Sequence, residues 1–390
     1  MKNKTLIISV MCLAIASCTN AQNENQTQVF ASVNTPEAQE VAVNQEEQKE
    51  YEMVFCLDAT GSMGGLIGTA KEKIWDIVSG ISQSQDVSKV KLGMVFYRDK
   101  GDNFETKTYS LTTNIDSIYN LLLAINAQGG GDAPESVNSA LNEAVAEMNW
   151  SPNANAYRTV FLVGDCPPHM DYNETKYPET CKTANSKNLV INTIKLGTSC
   201  TDAVAHFQKI ASLTNGEYQQ LDQNAKDYVI TTPYDDSINR VSRLIDESKI
   251  YYGTEVIQSK MYSKKEKTIT LYDKSSASAS SSRATYNTTK AGKENWFGSN
   301  ELIQDVNDGK IVLDSISVDH LPTELKGLDA EERVVTLNKM QVERQANIDQ
   351  LNRLMKEKDK YVRLEKSKNT GKESFSEKVI ETMKVQSKRK

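Results

Sequence analysis

Histidine is scarce in this chain, with three copies among 390 residues. Neither these histidines nor the six cysteines follow the spacing of a zinc site, so the sequence predicts no zinc domain. No nucleophile accompanies a base in a catalytic motif, and neither H-E-x-x-H nor a P-loop is present. We therefore expect a protein that is not an enzyme.

Long apolar runs are also absent beyond the N-terminus, so no later segment is expected to span a membrane. The apolar segment 6–16 follows two lysines and is too short for a membrane-spanning helix, which is typical of a signal peptide. Where this segment ends, the sequence is Ile15-Ala16-Ser17-Cys18, which resembles a bacterial lipoprotein cleavage box. On this interpretation residues 1–17 are removed and Cys18 carries lipid. A plain secretory signal cleaved nearby is the alternative.

Residues 18–50 contain one aromatic residue and are rich in Asn, Gln, Glu, Thr and Ala. Such a segment buries too little surface to offset chain entropy, so we expect a disordered tether. The protein would then be exported and anchored to a bacterial membrane, the outer membrane in particular, on either the periplasmic or the surface face. The net charge of −6 argues against binding to nucleic acid.

Four cysteines remain when the signal peptide and the lipidated residue are set aside, in a compartment that permits disulfides. Cys56 lies in an apolar run and is expected to be a buried free thiol. Cys166, Cys181 and Cys200 fall in or near loops at one predicted edge of a sheet. One bond can form among these three, and the pairing we favour is Cys181 with Cys200.

Residues 51–252 alternate apolar strands with helical patterns, which predicts a doubly wound, mostly parallel α/β sheet covered on both faces. The predicted strands cover residues 53–57, 90–97, 159–163, 189–196 and 218–221. The predicted helices cover residues 67–81, 115–125, 136–148, 203–213 and 238–250. In such sheets ligands bind at the carboxyl ends of the strands, where Asp58, the loop 129–135 and Asp165 all fall.

The first of these strand ends carries a carboxylate and two hydroxyls at alternate positions, Asp58, Thr60 and Ser62. Three oxygens from one turn can point at a single cation, and hard divalent cations prefer oxygen ligands. Each residue alone fits a helix cap or a turn equally well. The coincidence of such residues at several strand ends favours a metal site.

Three motifs carry a family resemblance: D-A-T-G-S at 58–62, G-G-G-D-A-P-E at 129–135 and V-G-D-C-P-P-H at 163–169. Together they resemble the von Willebrand factor A domain and its metal-ion-dependent adhesion site (MIDAS), over residues 51–252. The resemblance implies that Thr60 and Ser62 bind the ion directly and that Asp165 completes the shell. It also implies that the ion, Mg²⁺ or else Mn²⁺ or Ca²⁺, bridges to an Asp or Glu of a protein partner.

The second loop departs from the family pattern, which commonly places a threonine hydroxyl there. Asp132 is the expected ligand in this chain, with Glu135 or Ser136 as alternatives. A third carboxylate lowers the net positive field, so we expect tighter metal binding and a weaker pull on an anionic partner. His169 follows in the next loop and is expected to face solvent.

The remainder of the chain reads as a polar, serine-rich linker over residues 253–295 and a mainly helical region over residues 296–390. A long helix is predicted at about 329–368, opened by a capping box of Asp329 and Glu332.

Apolar residues along this helix recur with a heptad-like step typical of a coiled coil. Gln341, Arg344 and Lys358 occupy the seam, however, and make it too polar for a regular coiled coil. A second helix at 375–385 packing beside the long one is the preferred interpretation.

These features lead to the hypothesis of a lipid-anchored envelope protein that binds a protein partner, as in adhesion, through a MIDAS-type site. The alternative is an envelope assembly scaffold in which the metal is mainly structural.

Overall fold

The computed structural model describes residues 49–84, 86–223, 230–368 and 374–388. The expected signal peptide, the lipidation site Cys18 and the tether up to residue 48 lie outside these residues. Among the helices of the described ranges, none is both long enough and apolar enough to cross a membrane.

A six-stranded sheet forms the centre of the fold. Its strands are β1 (Lys49–Asp58), β2 (Val87–Tyr97), β3 (Thr106–Thr112), β4 (Ala156–Gly164), β5 (Leu189–Leu196) and β6 (Tyr218–Leu221). They lie in the order β3-β2-β1-β4-β5-β6, with parallel pairing except between β2 and β3. The predicted mostly parallel sheet is confirmed, and β3 adds an antiparallel edge that was not predicted.

Both faces of the sheet are buried, as the apolar runs require. Along β1, Met53 and Phe55 belong to one hydrophobic cluster, whereas Val54 and Cys56 belong to another on the opposite face. The helices between the strands are α1 (Gly64–Ile81), α2 (Ile115–Leu123), α3 (Val137–Asn142), α4 (Tyr177–Ser186) and α5 (Asp202–Leu213). Helices α1 and α2 contribute to the first cluster, and α3 to α5 contribute to the second.

The strand order reverses between β1 and β4, because the chain leaves β1 for β2 on one side while β4 lies on the other. Asp58 ends β1 and Asp165 directly follows β4. In open α/β sheets such a reversal leaves a crevice at the carboxyl ends of the strands, where ligands bind.

Residues 230–368 form a helical layer beside this sheet. It contains α6 (Asp235–Glu247), α7 (Glu255–Lys274), α8 (Ala277–Thr288), α9 (Lys290–Trp296), α10 (Leu302–Asn307), α11 (Thr323–Lys326) and α12 (Ala330–Lys368). Helix α6, predicted as the last helix over the sheet, instead packs against α8 and α12.

The serine-rich segment 253–295 is not a linker, because α7, α8 and α9 occupy it. Helix α8 lies against both α1 and α6, and its Ser280 and Ser281 are buried. Ser276 caps α8 and also donates a hydrogen bond of 2.6 Å to Glu72 Oε2 of α1. Serine is small enough to allow close helix contact, which composition alone does not reveal.

The polar seam of α12 has a structural explanation. Arg344 forms a buried ion pair of 2.8 Å with Glu301, and Lys358 lies 3.1 Å from Asp235. These side chains hold α12 against the helical layer. The predicted capping box is present, with reciprocal backbone-to-carboxylate hydrogen bonds between Asp329 and Glu332 at 2.9 and 3.0 Å.

The C-terminal helix α13 (Phe375–Gln386) packs on α1 and the sheet rather than mainly beside α12. Phe375, Val379 and Met383 are buried in the first hydrophobic cluster. Gln386 donates a hydrogen bond of 2.8 Å to Asn192 of β5. The end of the chain therefore completes the core that begins at β1.

Candidate metal centre

The turn after β1 brings Asp58, Thr60 and Ser62 together. Asp58 Oδ1 accepts hydrogen bonds from the Thr60 amide at 2.9 Å and from Thr60 Oγ1 at 2.7 Å. Thr60 Oγ1 lies 3.4 Å from Ser62 Oγ. Asp58 and Thr60 are buried and Ser62 is exposed, so the cluster extends from the core to solvent.

Asp165 reaches the same place from β4. Its Oδ2 accepts a hydrogen bond of 2.9 Å from Gln223, while Oδ1 is buried and has no hydrogen-bond partner in the described ranges. Burial, with a smaller contribution from repulsion by Asp165, raises the pKa of Asp58 to about 7 despite the hydrogen bonds from Thr60. Two buried carboxylates thus lie close enough to repel each other.

The second loop supplies Glu135 to this pair. Burial raises the pKa of Glu135 to about 9, and repulsion by Asp58, Asp99 and Asp165 adds to this shift. Its Oε2 has no hydrogen-bond partner among the described residues. Its backbone is fixed to the loop after β4 by a hydrogen bond of 2.9 Å from its amide to the carbonyl of Pro167.

Asp132, the expected ligand, lies in a neighbouring cluster. Its side chain is 62% exposed and Oδ1 lies 4.0 Å from His169 Nε2. Of the three residues considered for the second loop, Glu135 is the buried carboxylate that Asp58 and Asp165 repel. Ser136 is buried, and its hydroxyl also has no hydrogen-bond partner among the described residues.

Two glycines shape the second loop. Gly129 and Gly130 have φ angles of +81° and +86°, a region that other residues rarely adopt. The Gly129 carbonyl accepts a hydrogen bond of 3.1 Å from Gly61 in the first loop, and the Gly130 amide donates one of 3.0 Å to Asp102. This conformation joins the two loops.

The donor set fits a divalent cation. Asp58 Oδ2, Asp165 Oδ1 and Glu135 Oε2 are buried and lack hydrogen-bond partners within the described part of the chain. Unpaired buried carboxylate oxygens are costly, and a bound cation removes that cost. The available ligands are all oxygens, which suits Mg²⁺, Mn²⁺ or Ca²⁺.

Tyr97 and Arg98, at the end of β2, support the two loops. The Tyr97 hydroxyl donates to the Val163 carbonyl at 3.1 Å. Arg98 donates to the carbonyls of Ala59 at 3.0 Å and Asn126 at 2.7 Å. These contacts connect the ends of three strands and limit the movement of the candidate ligands.

The predicted disulfide between Cys181 and Cys200 is wrong. Cys200 instead forms a disulfide with Cys166, and their Cα atoms are 5.1 Å apart. Cys166 and Cys200 follow the adjacent strands β4 and β5, so their loops meet at one edge. Cys181 is a free, buried thiol on α4, and burial raises its pKa to about 12. Cys56 is also buried and free, as expected.

His169 is buried, contrary to the expectation that it faces solvent. It lies 3.2 Å from Asp99, which follows the end of β2. Sequence reasoning did not single out Asp99. Its position after an apolar strand, like that of Asp58, was the available signal.

Comparison with known proteins agrees with the fold. Residues 52–233 match the family model of the von Willebrand factor A domain, and this region has the fold of that domain. An ariadne-like RING finger protein of Acanthamoeba polyphaga mimivirus is 22% identical over 202 residues, 47% of this chain and 20% of that protein. Alpha-protein kinase vwkA of Dictyostelium discoideum is 25% identical over 119 residues, 30% of this chain and 19% of the kinase. The chain thus spans about a fifth of each of these relatives.

Solved structures give similar but distant matches. An aerotolerance-related membrane protein from Bacteroides fragilis has 20% identity and a TM-score of 0.32, covering 45% of this chain and 92% of that one. The pilus adhesin SpaC from Lactobacillus rhamnosus GG has 13% identity and a TM-score of 0.38, and the match covers 46% of this chain and 29% of the adhesin. Proximal thread matrix protein 1 from the mussel byssus, with a zinc-occupied MIDAS motif, has 17% identity and a TM-score of 0.34. The match covers 44% of this chain and 42% of the mussel protein. At these scores the resemblances do not extend to function.

Proposed function

We propose that this chain is a lipid-anchored protein of the bacterial cell envelope that holds a protein partner through a divalent cation. The proposed ligands are Asp58, Thr60, Ser62, Glu135 and Asp165. The observation that carries the proposal is that Asp58, Glu135 and Asp165 are buried carboxylates that repel one another. Each has an oxygen without a hydrogen-bond partner among the described residues, and the exposed Ser62 lies in the same turn as Asp58.

The residues have distinct roles in this proposal. Thr60 holds Asp58 Oδ1, which leaves Oδ2 for the cation. Gln223 does the same for Asp165, leaving Oδ1. The exposed Ser62 marks the side from which a partner carboxylate would approach.

A bound cation such as Mg²⁺ would supply an electrophilic position for that carboxylate. Three protein carboxylates lower the net positive field at the cation. We infer that the metal is held firmly and that its attraction for a partner is moderate. Additional contacts around Ser62 would then be needed for tight capture.

The envelope location is supported by the sequence Ile15-Ala16-Ser17-Cys18 and by the disulfide between Cys166 and Cys200. Structural disulfides persist mainly in oxidising compartments outside the cytoplasm. We propose the outer membrane as the site of anchoring, with the membrane face left open.

We propose binding rather than catalysis. The two free thiols of the described chain, Cys56 and Cys181, are buried, and burial raises the pKa of each. Neither is therefore an available thiolate nucleophile. His169 is surrounded by carboxylates instead of by a hydroxyl or thiol that it could activate.

The second candidate function is an envelope assembly scaffold, and exposed apolar residues on helix α12 favour it. Val335 and Val342 lie two turns apart on α12 and are 68% and 70% exposed. Exposed valines at this spacing form an apolar stripe that a partner helix can cover. In this case the cation would stabilise the domain, and α12 would hold the partner.

Pull-down from envelope membranes with the full chain separates the two candidates. We expect a co-purified protein to be lost in EDTA and in Asp58→Asn, but retained in Asp319→Asn, which changes an exposed carboxylate on a distant turn. If the partner remains in EDTA and in Asp58→Asn but is lost when Val335 and Val342 are replaced by serine, the scaffold is correct.

A further inference from the structure

A second group of ligand-type side chains lies beside the candidate metal centre. Asp99, Asp132 and His169 place one donor atom each within 4.8 Å of one another. His169 Nε2 is 3.2 Å from Asp99 Oδ1 and 4.0 Å from Asp132 Oδ1. The three residues come from three loops, so no sequence spacing reveals the cluster.

The hydrogen bonding of His169 directs an open nitrogen into this cluster. Its Nδ1 lies 3.1 Å from Asp171 Oδ1, and because an ionised carboxylate can only accept, Nδ1 carries the proton. The ring is 3% exposed and stacks on Tyr172 at a centroid distance of 3.7 Å. Rotation of the His169 ring and its access to solvent are therefore both restricted.

The opposite nitrogen, Nε2, is buried, and neither it nor Asp99 Oδ1 has a hydrogen-bond partner among the residues that the structure describes. A neutral imidazole would direct its lone pair at the oxygens of Asp99 and Asp132, which is unfavourable. A cation held between these atoms would remove that repulsion.

We propose that Asp99, Asp132 and His169 bind a second divalent cation, of the transition-metal class represented by Zn²⁺. One imidazole and two carboxylates are typical ligands for Zn²⁺, whereas the all-oxygen set around Asp58 suits harder cations. Bonds of about 2.0 Å in a tetrahedral site separate ligand atoms by about 3.3 Å, close to the distance between His169 and Asp99.

The surroundings also fit a metal site. A histidine ligand usually donates its other ring N–H to a carboxylate, as His169 does to Asp171. Asp132 is 62% exposed, which provides an entry path and leaves the fourth coordination position to water.

The consequence concerns the loop that both sites share. Asp132 and Glu135 lie in the same turn, and the His169 amide donates a hydrogen bond of 3.2 Å to the Glu135 carbonyl. A cation at the second site would tie the exposed Asp132 to buried Asp99 and His169. It would thereby stiffen the loop that positions Glu135.

The test is metal titration of the EDTA-stripped full chain in excess Mg²⁺, which fills the oxygen site. We expect about one further equivalent of Zn²⁺ by calorimetry, and a Co²⁺ absorption spectrum typical of nitrogen and oxygen ligation. His169→Gln and Asp132→Asn should each weaken Zn²⁺ binding by about tenfold or more. His320→Gln and Asp319→Asn, exposed neighbours on a distant turn, should leave it unchanged.

Two results would overturn the proposal: no Zn²⁺ or Co²⁺ binding by the wild-type chain, or equal binding by His169→Gln. The variant Asp58→Asn distinguishes loss of the site around Asp58 from loss of the site around His169. It should abolish the response to Mg²⁺ while Zn²⁺ binding at His169 persists.

Discussion

Replacing Phe375 tests whether the C-terminal helix belongs to the domain core. This side chain is 1% exposed, and its ring centroid lies 6.3 Å from that of Phe55 in β1. A buried Phe→Ala change costs about 3–5 kcal/mol through lost burial and the cavity left behind. If the urea dependence is about 3 kcal/mol per molar, the unfolding midpoint of Phe375→Ala should fall by about 1 to 2 M.

Urea unfolding followed by tryptophan fluorescence is a suitable assay, because Trp75 is buried on α1, which α13 contacts. Val385→Ala is the matched control, since Val385 is on the same helix and 41% exposed. The control should shift the free energy of unfolding by no more than about 0.5 kcal/mol. Equal midpoints for both variants would refute the packing of α13 on the sheet.

Three further predictions concern stability. Cys200→Ser opens a disulfide whose cysteines are 34 residues apart, and chain entropy alone predicts a loss of about 4 kcal/mol in chemical unfolding. Asp246→Asn should cost about 3–5 kcal/mol, because it leaves the buried Arg283, now 2.8 Å from Asp246, without its full counter-charge. In EDTA, the melting temperature should fall as pH rises from about 4 to 7 and on towards 9, since folded Asp58 and Glu135 hold protons that the unfolded chain releases. Mg²⁺ should replace those protons and stabilise the protein most at the alkaline end of that range.

Each of these has a clear opposing result. An exposed control, Asp236→Asn, should leave stability unchanged, and equal loss in both aspartate variants would contradict the account of Asp246. Unaltered stability of Cys200→Ser under oxidising conditions would contradict the disulfide. A melting temperature in EDTA that does not fall from pH 4 to 9 would contradict the buried carboxylate cluster.

The strands were predictable because burial on both faces leaves a continuous apolar run, as in β1 and β4. Strand β3 was missed, since one of its seven residues is buried at this edge and its exposed positions carry Lys, Thr and Ser. Helix α8 was missed because its serines look like a linker until the helices they touch are known.

The sequence predicted which loops form the candidate site, but not every residue that lies in it. Strand ends placed Asp58 and Asp165 together, but the sequence did not indicate that Glu135 is buried while Asp132 is exposed. The disulfide likewise required the strand order, which brings Cys166 and Cys200 to one edge.

The most direct test of metal-bridged capture is to measure Mg²⁺ binding and partner capture in the same titration. The midpoint of capture should coincide with the midpoint of Mg²⁺ binding, and Glu135→Gln should shift both by the same factor, about tenfold or more. Capture that is constant across the titration, or that keeps its midpoint while Mg²⁺ binding shifts in Glu135→Gln, would contradict the proposal that the cation bridges to the partner.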